Sequence, residues 1–334
     1  MLLSRHTKRR EFIAGLGGAA AWPLAARGQQ PQNIRRIGIL MPFPPGNAIA
    51  QERVRVFREE LRKRGWASSV NVQFEERWTL DNMDQIRSAA ENLVELKPDV
   101  ILAIGGRVIP ILMKLTPSIP IVIPGGTEPV ARGYVESLAH PGGNVTGFAV
   151  MESSVIGKQL QTLKEIAPHL AQISMIYNPD NPVGAIFARA FENAGRSLGV
   201  EATIVHIHGL SDIESALTTV AGRDNGGIVV PLDVTIEGFA EQTIAAIAQH
   251  RLPAVYPDRL FAVNGGLVSY GADRTNLFRQ AATYVDRILR GEKPGDLPYQ
   301  QPTKYDLVIN LGTAKALGLT IPPTLLFTAD EVIE

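Results

Sequence analysis

The chain has 334 residues, 45% of them hydrophobic and 20% charged, with no cysteine. That is enough for one or two ordinary cores, and two domains are expected. Lysine plus arginine equals aspartate plus glutamate at 33 each, which argues against a nucleic-acid or anionic-membrane partner. Without cysteine there is no disulfide framework, thiol chemistry or thiolate metal site, and compartment must be read from the N-terminus.

There, Lys8-Arg9-Arg10-Glu11-Phe12-Ile13 precedes an apolar, small-residue run from Ile13 to Ala26 without an acidic residue. The pattern predicts a signal peptide over 1–28. The paired arginines before Phe12 match a Tat signal, and Ala26 and Gly28 place small side chains where a signal peptidase inspects them. An uncleaved anchor is the alternative, but Gly15, Gly17, Gly18 and Pro23 interrupt a run shorter than the ~20 apolar residues a span needs. A soluble periplasmic protein is expected.

From Ile34 onward, short Val- and Ile-rich runs alternate with stretches whose apolar residues recur at three- and four-residue spacing, the signature of parallel sheets covered by helices. Strands are predicted at Ile37 to Met41, Val70 to Glu75, Val100 to Ile104 and Ile119 to Ile123. The helices between them carry Ala50, Val54, Phe57 and Leu61, then Met83, Ile86, Ala90 and Leu93, with Arg53, Arg58 and Arg62 read as a solvated face. Pro141-Gly142-Gly143-Asn144-Val145-Thr146-Gly147 is too rich in turn formers for a helix and is read as a hinge. A second copy of the pattern follows, with strands at Ile173 to Tyr177, Val200 to His206, Gly227 to Pro231 and Ala254 to Tyr256. Its helices carry Phe187, Phe191, Ala194 and Leu198, then Ile236, Ala240, Ile244 and Ile247. A strand at Leu267 to Tyr270, a helix through Leu277 and Ile288 ending at Gly291, an extended crossover from Pro294 to Pro302, a strand at Leu307 to Asn310 and a short helix from Thr313 to Leu317 complete the chain.

The fold class is therefore α/β, with two similar Rossmann-like lobes built on parallel sheets. The boundaries expected are 34–146 plus 267–297 for lobe 1 and 147–266 plus 298–334 for lobe 2. Two such lobes face one another across a cleft walled by the loops after their strands.

Signatures of catalysis and nucleotide binding are missing. No Gly-x-x-x-x-Gly-Lys-Ser/Thr loop, Gly-x-Gly-x-x-Gly after the first strand, Gly-x-Ser-x-Gly elbow or His-Glu-x-x-His pair occurs. His206 and His208 alternate on a strand but have no third ligand in context, so neither a metal nor a cofactor is expected. The candidate ligand contacts lie at strand C-termini. Phe43 offers an aromatic surface, Gly105-Gly106-Arg107 bare backbone amides and a guanidinium for a carboxylate, and Gly126-Thr127-Glu128 a hydroxyl and an acid. From the second lobe come Asn178, Asp180 and Asn181, then Asp233 as a partner for an ammonium group, with Tyr256 and Tyr270 near the hinge. Helix capping competes with ligand contact at Asn181, which stands directly before Pro182. Core packing competes at both tyrosines.

Together with the N-terminal motif, Ile37-Gly38-Ile39-Leu40, Lys97-Pro98-Asp99-Val100-Ile101-Leu102-Ala103, Pro141-Gly142-Gly143-Asn144-Val145-Thr146-Gly147, Tyr177-Asn178-Pro179, Ser269-Tyr270-Gly271 and Leu307-Val308-Ile309-Asn310-Leu311 carry a resemblance over nearly the whole chain. The chain resembles the ABC-transporter substrate-binding proteins related to tryptophan- and tyrosine-binding lipoproteins, within the type I periplasmic-binding fold. The resemblance implies two lobes joined by three crossovers, a ligand trapped between them, and delivery to a membrane permease whose ATPase is another chain. It also implies ligand contacts on the loops holding Gly105 to Arg107, Gly126 to Glu128, Asn178 to Asn181 and Asp233. Many relatives carry small hydroxyl residues where Gly105, Gly106 and Arg107 stand, and Asp-Pro where Glu128-Pro129 stands, so the charge of this cleft differs from theirs.

The expected function is that of a non-enzymatic, monomeric receptor for a small amino-acid-like or carboxylate solute, serving an ABC importer. An exported sensory protein of the same fold is one alternative, and an exported hydrolase or racemase using Glu128 or Asp233 as acid or base is another.

Overall fold

The computed structural model describes residues 34–223 and 225–334; the signal peptide read at 1–28 lies outside them. The first lobe is built on a parallel sheet of β1 (Arg35–Met41), β2 (Val72–Trp78), β3 (Val100–Ala103), β4 (Ile121–Gly126) and β5 (Val145–Ala149), in the order β2-β1-β3-β4-β5. The second lobe holds β6 (Gln172–Tyr177), β7 (Glu201–His206), β8 (Gly226–Val229), β9 (Ala254–Tyr256), β10 (Val268–Gly271), β11 (Asp306–Asn310) and β12 (Glu331–Ile333). These run in the order β12-β11-β10-β9-β8-β6-β7, parallel except where β11 meets β10. Among the described residues no helix is long and apolar enough to cross a membrane.

Helices α1 (Ala48–Lys63), α2 (Met83–Glu95) and α3 (Val108–Leu115) connect the first sheet. In the second lobe lie α4 (Val155–Ile166), α5 (Gly184–Leu198), α6 (Leu210–Ala221), α7 (Val234–Gly238), α8 (Ala240–Gln249) and α9 (Arg259–Val263). α10 (Arg274–Leu289) returns to pack on α1 and β4, and α11 (Leu311–Leu317) and α12 (Pro323–Thr328) flank the last strands. Local chemistry accounts for these elements. Asn47 caps α1 by accepting from the Ala50 amide at 2.8 Å, and the stripe Ala50, Val54, Phe57 and Leu61 is buried. Asn82 caps α2 in the same way, while Gly199 and Gly318 end α5 and α11 in left-handed conformation. β3, wholly apolar and wholly buried, sits between β1 and β4 with helices on both faces.

The structure differs from the sequence reading at the joints. The Pro-Gly-Gly-Asn-Val-Thr-Gly segment is not itself the hinge, because its last three residues enter β5 and pair with β4. The first crossing thus follows Ala149. The strand at Leu267–Tyr270, assigned by sequence to lobe 1, is β10 and pairs with β9 in the second sheet, so the second crossing follows Gly271. The helix drawn through Ile236 and Ile247 breaks at Phe239 into α7 and α8, and β12 has no counterpart in the sequence reading. The third crossing runs beside the first: the Ala149 amide donates to the Gln300 carbonyl at 2.7 Å, and the Gln300 amide to the Gly147 carbonyl at 3.0 Å.

Gly147 is required where these chains meet. A Cβ there would lie 2.2 Å from the Ile123 carbonyl oxygen of β4, closer than any side chain allows. Gly147→Ala is expected to destabilise the protein by about 1–3 kcal/mol or more, read as a lower urea midpoint; Gly143→Ala, where a Cβ meets nothing within 4 Å, is the control and should leave the midpoint unchanged.

Candidate functional site

The loops after β3 and β4 face those after β6 and β8 across a cavity of about 490 Å3, its open mouth included. Lobe 1 contributes Ile104, Gly105, Gly106, Ile109, Ile123, Gly125, Gly126, Thr127, Arg132 and Tyr134. Lobe 2 contributes Asn181, Val183, Leu232, Val234 and Glu237, and Arg274 enters from the first turn of α10. An adjoining recess is lined by Pro42, Asp81, Arg107 and Pro182.

Of the residues singled out by sequence, Gly105, Gly106, Gly126, Thr127 and Asn181 line the cavity and Arg107 the recess. The glycines are there for room. Gly105 has φ +106°, and a Cβ on Gly106 would lie 3.0 Å from Arg132 Nη1. The Gly106 carbonyl accepts from Arg132 Nη2 at 2.8 Å and from the Tyr134 hydroxyl at 3.2 Å. A Cβ on Gly126 would meet the Tyr299 hydroxyl at 2.0 Å. Burial pushes the Tyr134 hydroxyl up to about 12, against the opposing charge of Arg132, so it stays a neutral donor.

Several other expectations are corrected. Arg107 does not stand free as a carboxylate clamp. Its Nε donates to Asp81 Oδ1 at 3.1 Å and its Nη2 to the Asp81 carbonyl at 3.0 Å, while Nη1 lies 3.7 Å from Asp180, exposed on the other lobe. Asp233 has no oxygen left for an ammonium group. Oδ1 accepts from the Thr235 and Ile236 amides at 2.9 and 3.3 Å, capping α7, and Oδ2 accepts from the Asn178 amide and Asn181 Nδ2, both at 3.1 Å. Burial raises its affinity for a proton, and these donors restrain the rise. Asn178 is equally engaged, through Nδ2 to Thr235 Oγ1 and Oδ1 from the Asp180 amide, both at 2.9 Å. Asn181 both accepts from the Val183 amide and lines the cavity.

Phe43 and Tyr256 are core residues, the latter stacked on Phe261 with ring centroids 5.3 Å apart. Tyr270 packs on Tyr305, and Glu128, with φ +50°, contributes its carbonyl to the Arg132 amide rather than its acid to the cavity. His206 lies edge-on to Tyr177 and His208 beside Asp212. Among the described residues no cluster of three or more potential metal ligands forms.

The sequence reading missed a buried ion cluster at the floor of the cleft. Arg53, assigned to a solvated face, is 0% exposed; its Nη1 donates to Glu237 Oε2 at 3.2 Å and its Nη2 to Asp258 Oδ2 at 2.8 Å. Arg274 pairs through Nη1 with Glu237 Oε1. The helical spacing carried the signal, because residue 53 falls on the same face as Ala50 and Phe57. Desolvation is the largest influence on Arg53 and lowers its proton affinity, yet Asp258 and Glu237 together outweigh it and the net shift is upward. Arg274 shares only Glu237; desolvation and the nearby Arg53 charge drive its net shift downward.

Further contacts bridge the lobes. Asn47 Nδ2 donates to the Glu237 carbonyl at 2.7 Å, and Thr235 Oγ1 donates to Asp81 Oδ2 at 2.9 Å.

Removing one partner of a buried pair strands the other charge. Arg53→Ala is therefore expected to destabilise by about 3–5 kcal/mol and Arg58→Ala, on the exposed face of the same helix, by under about 1 kcal/mol, as measured by urea unfolding. Equal small losses would return Arg53 to the solvated face.

Comparison with known proteins agrees with this architecture. A "Tyrosine-binding protein" of Clostridioides difficile is 26% identical over 263 residues, covering 79% of this chain and 75% of that one. A "conserved domain protein" of Vibrio cholerae superposes with a TM-score of 0.82 at 26% identity, covering 90% of this chain and 99% of that one. An ABC domain in complex with L-Trp from Streptococcus pneumoniae has the same fold, with a TM-score of 0.81 at 22% identity and the same coverage. The family model described as ABC transporter substrate binding protein matches residues 46–333, and the chain belongs to that family.

Proposed function

We propose that this chain is the solute receptor of an ABC importer, working outside the cytoplasm and delivering a small organic solute to a permease driven by a separate ATPase chain. The observation that carries this reading is the cavity itself, which opens at the C-terminal ends of both parallel sheets and is walled by loops of both lobes. A ligand touching both walls stabilises the closed arrangement by its differential affinity for it. The twin-arginine N-terminus supports export. Relatives described as binding tyrosine and L-Trp support a ligand of amino-acid size.

The moving bodies in this reading are 35–149 with 274–297 and 155–271 with 306–333. They turn about three crossings whose first and third strands are hydrogen-bonded to each other. No residue of the cleft is assigned a catalytic role, and the protein acts by binding alone.

Mass spectrometry of small molecules released by denaturing the purified protein identifies the solute, and X-ray scattering with and without it tests closure. Compaction on binding is expected, together with loss of uptake of that solute when the gene is deleted; unchanged scattering and unchanged uptake would exclude the reading. Asn47→Ser tests the cross-lobe contacts. Serine keeps a good cap for α1 but lacks the donor to the Glu237 carbonyl. Loss of one such bond should weaken solute binding by roughly two- to tenfold with little change in the unfolding midpoint of the empty protein.

A further inference from the structure

The charged side chains that line the cavity are two guanidiniums and one carboxylate. Each carboxylate close to it is already engaged within the chain. Glu237 gives one oxygen to Arg53 and the other to Arg274, Asp233 accepts four N–H donors, and Asp81 is held by Arg107 and Thr235. The cations are not all so engaged. Arg274 is 2% exposed and lines the cavity, yet its Nε has no hydrogen-bond partner and its one carboxylate is shared with Arg53. Arg132, on the same lobe as α10, bonds only the neutral carbonyl of Gly106 and lies over the Tyr134 ring at 4.8 Å. The cavity wall therefore presents two guanidiniums and one carboxylate, Glu237, which Arg274 shares with Arg53, while Arg132 pairs with no carboxylate among the described residues.

A buried guanidinium that shares its one carboxylate, as Arg274 does, is incompletely compensated, and arginine does not escape that cost by losing its proton. The remedy is an anion supplied from outside. A planar carboxylate suits it, since two parallel N–H groups of one guanidinium match its two oxygens. Beside Thr127, Tyr134, Asn181 and the glycines, the lining has six aliphatic side chains, Ile104, Ile109, Ile123, Val183, Leu232 and Val234, which suit a hydrocarbon body. An ammonium group on the same solute would face the two guanidiniums with no unengaged carboxylate among the described residues of the cavity wall.

We infer that the solute is an organic acid with an apolar body and no ammonium group, its carboxylate held by Arg274 and Arg132. The assignment rests on the receptor reading and narrows it, from a solute of amino-acid size to one lacking the amino group. Desolvation and the Arg53 charge lower the proton affinity of Arg274, against the pull of Glu237 and Asp258, in keeping with a site that favours a further anion.

The test uses matched pairs that differ at the α-carbon: 4-methyl-2-oxopentanoate against L-leucine, and 3-phenylpropanoate against L-phenylalanine, with D-galactose as a neutral solute. Calorimetry on the mature protein should show at least one acid bound tenfold or more tighter than its amino-acid counterpart. Arg132→Gln keeps a donor for the Gly106 carbonyl but loses the charge, and should weaken that acid by roughly ten- to a hundredfold. Arg132→Gln is chosen because Arg274, inside the ion cluster, also supports the fold; Arg274→Lys serves as a second variant where it folds. Equal or tighter binding of the amino acids, or an affinity for the acid unchanged in Arg132→Gln, overturns the assignment and leaves the receptor reading standing. So does compaction in scattering with galactose alone. Should no acid, amino acid or neutral solute compact the protein, the receptor reading itself fails and takes this one with it.

Discussion

Arg53, with no exposed surface, reaches from α1 in the first lobe to Glu237 and Asp258 in the second, and Arg274 joins them from the first turn of α10. Four charges in a desolvated volume persist only when their partners stay within hydrogen-bond range, because the penalty for stranding one is several kcal/mol. The cluster consequently ties together α1, α7, the cap of α9 and the start of α10, elements that come from both lobes and from distant parts of the chain. Any opening of the cleft must either hydrate these charges or turn about them. The cavity wall inherits its polarity from the same source, since Glu237 and Arg274 are members of the cluster and of the lining at once.

A second tier of contacts shapes the mouth. Asp233 is placed where a ligand acid would be expected, but its two oxygens hold the backbone of α7 and the loop that follows β6 in one arrangement. Asn178 ties the same loop to Thr235, and Thr235 continues to Asp81 on the other lobe. Polar residues at strand ends thus build the walls, and the surfaces facing a ligand are mainly aliphatic side chains, glycine backbone and guanidiniums, with Thr127, Tyr134 and Asn181 among them.

The architecture was legible because it is written in periodicity. The buried stripe of α1, the wholly apolar β3 and the glycines ending α5 and α11 each follow from local rules that a single chain displays. Pairing was less legible. β5 and β10 are strands of four or five residues whose sheet is decided by distant partners, so β5 was read as part of a hinge and β10 was given to the other lobe. In the cleft, the loops were found and the roles within them were not. Arg107 and Asp233 were chosen for their charge, but which carboxylate or amide neutralises a charge is a tertiary fact. Arg274 carried a usable clue, since a cation in the first turn of a helix is poorly placed unless an anion stands nearby. The same spacing that marks Ala50 and Phe57 as core placed Arg53 between them, and charge alone led it to be read as surface.

The order in which the strands are used also sets the order in which the protein can be completed. The first lobe lacks α10 until residue 289 has been made, and the second lacks β11 and β12, which extend its sheet beyond β10, until residue 333. Neither lobe is a contiguous stretch that finishes early. A growing chain therefore carries an open sheet edge at β10 until β11 is made, and an incomplete set of buried charges until Arg274 is made.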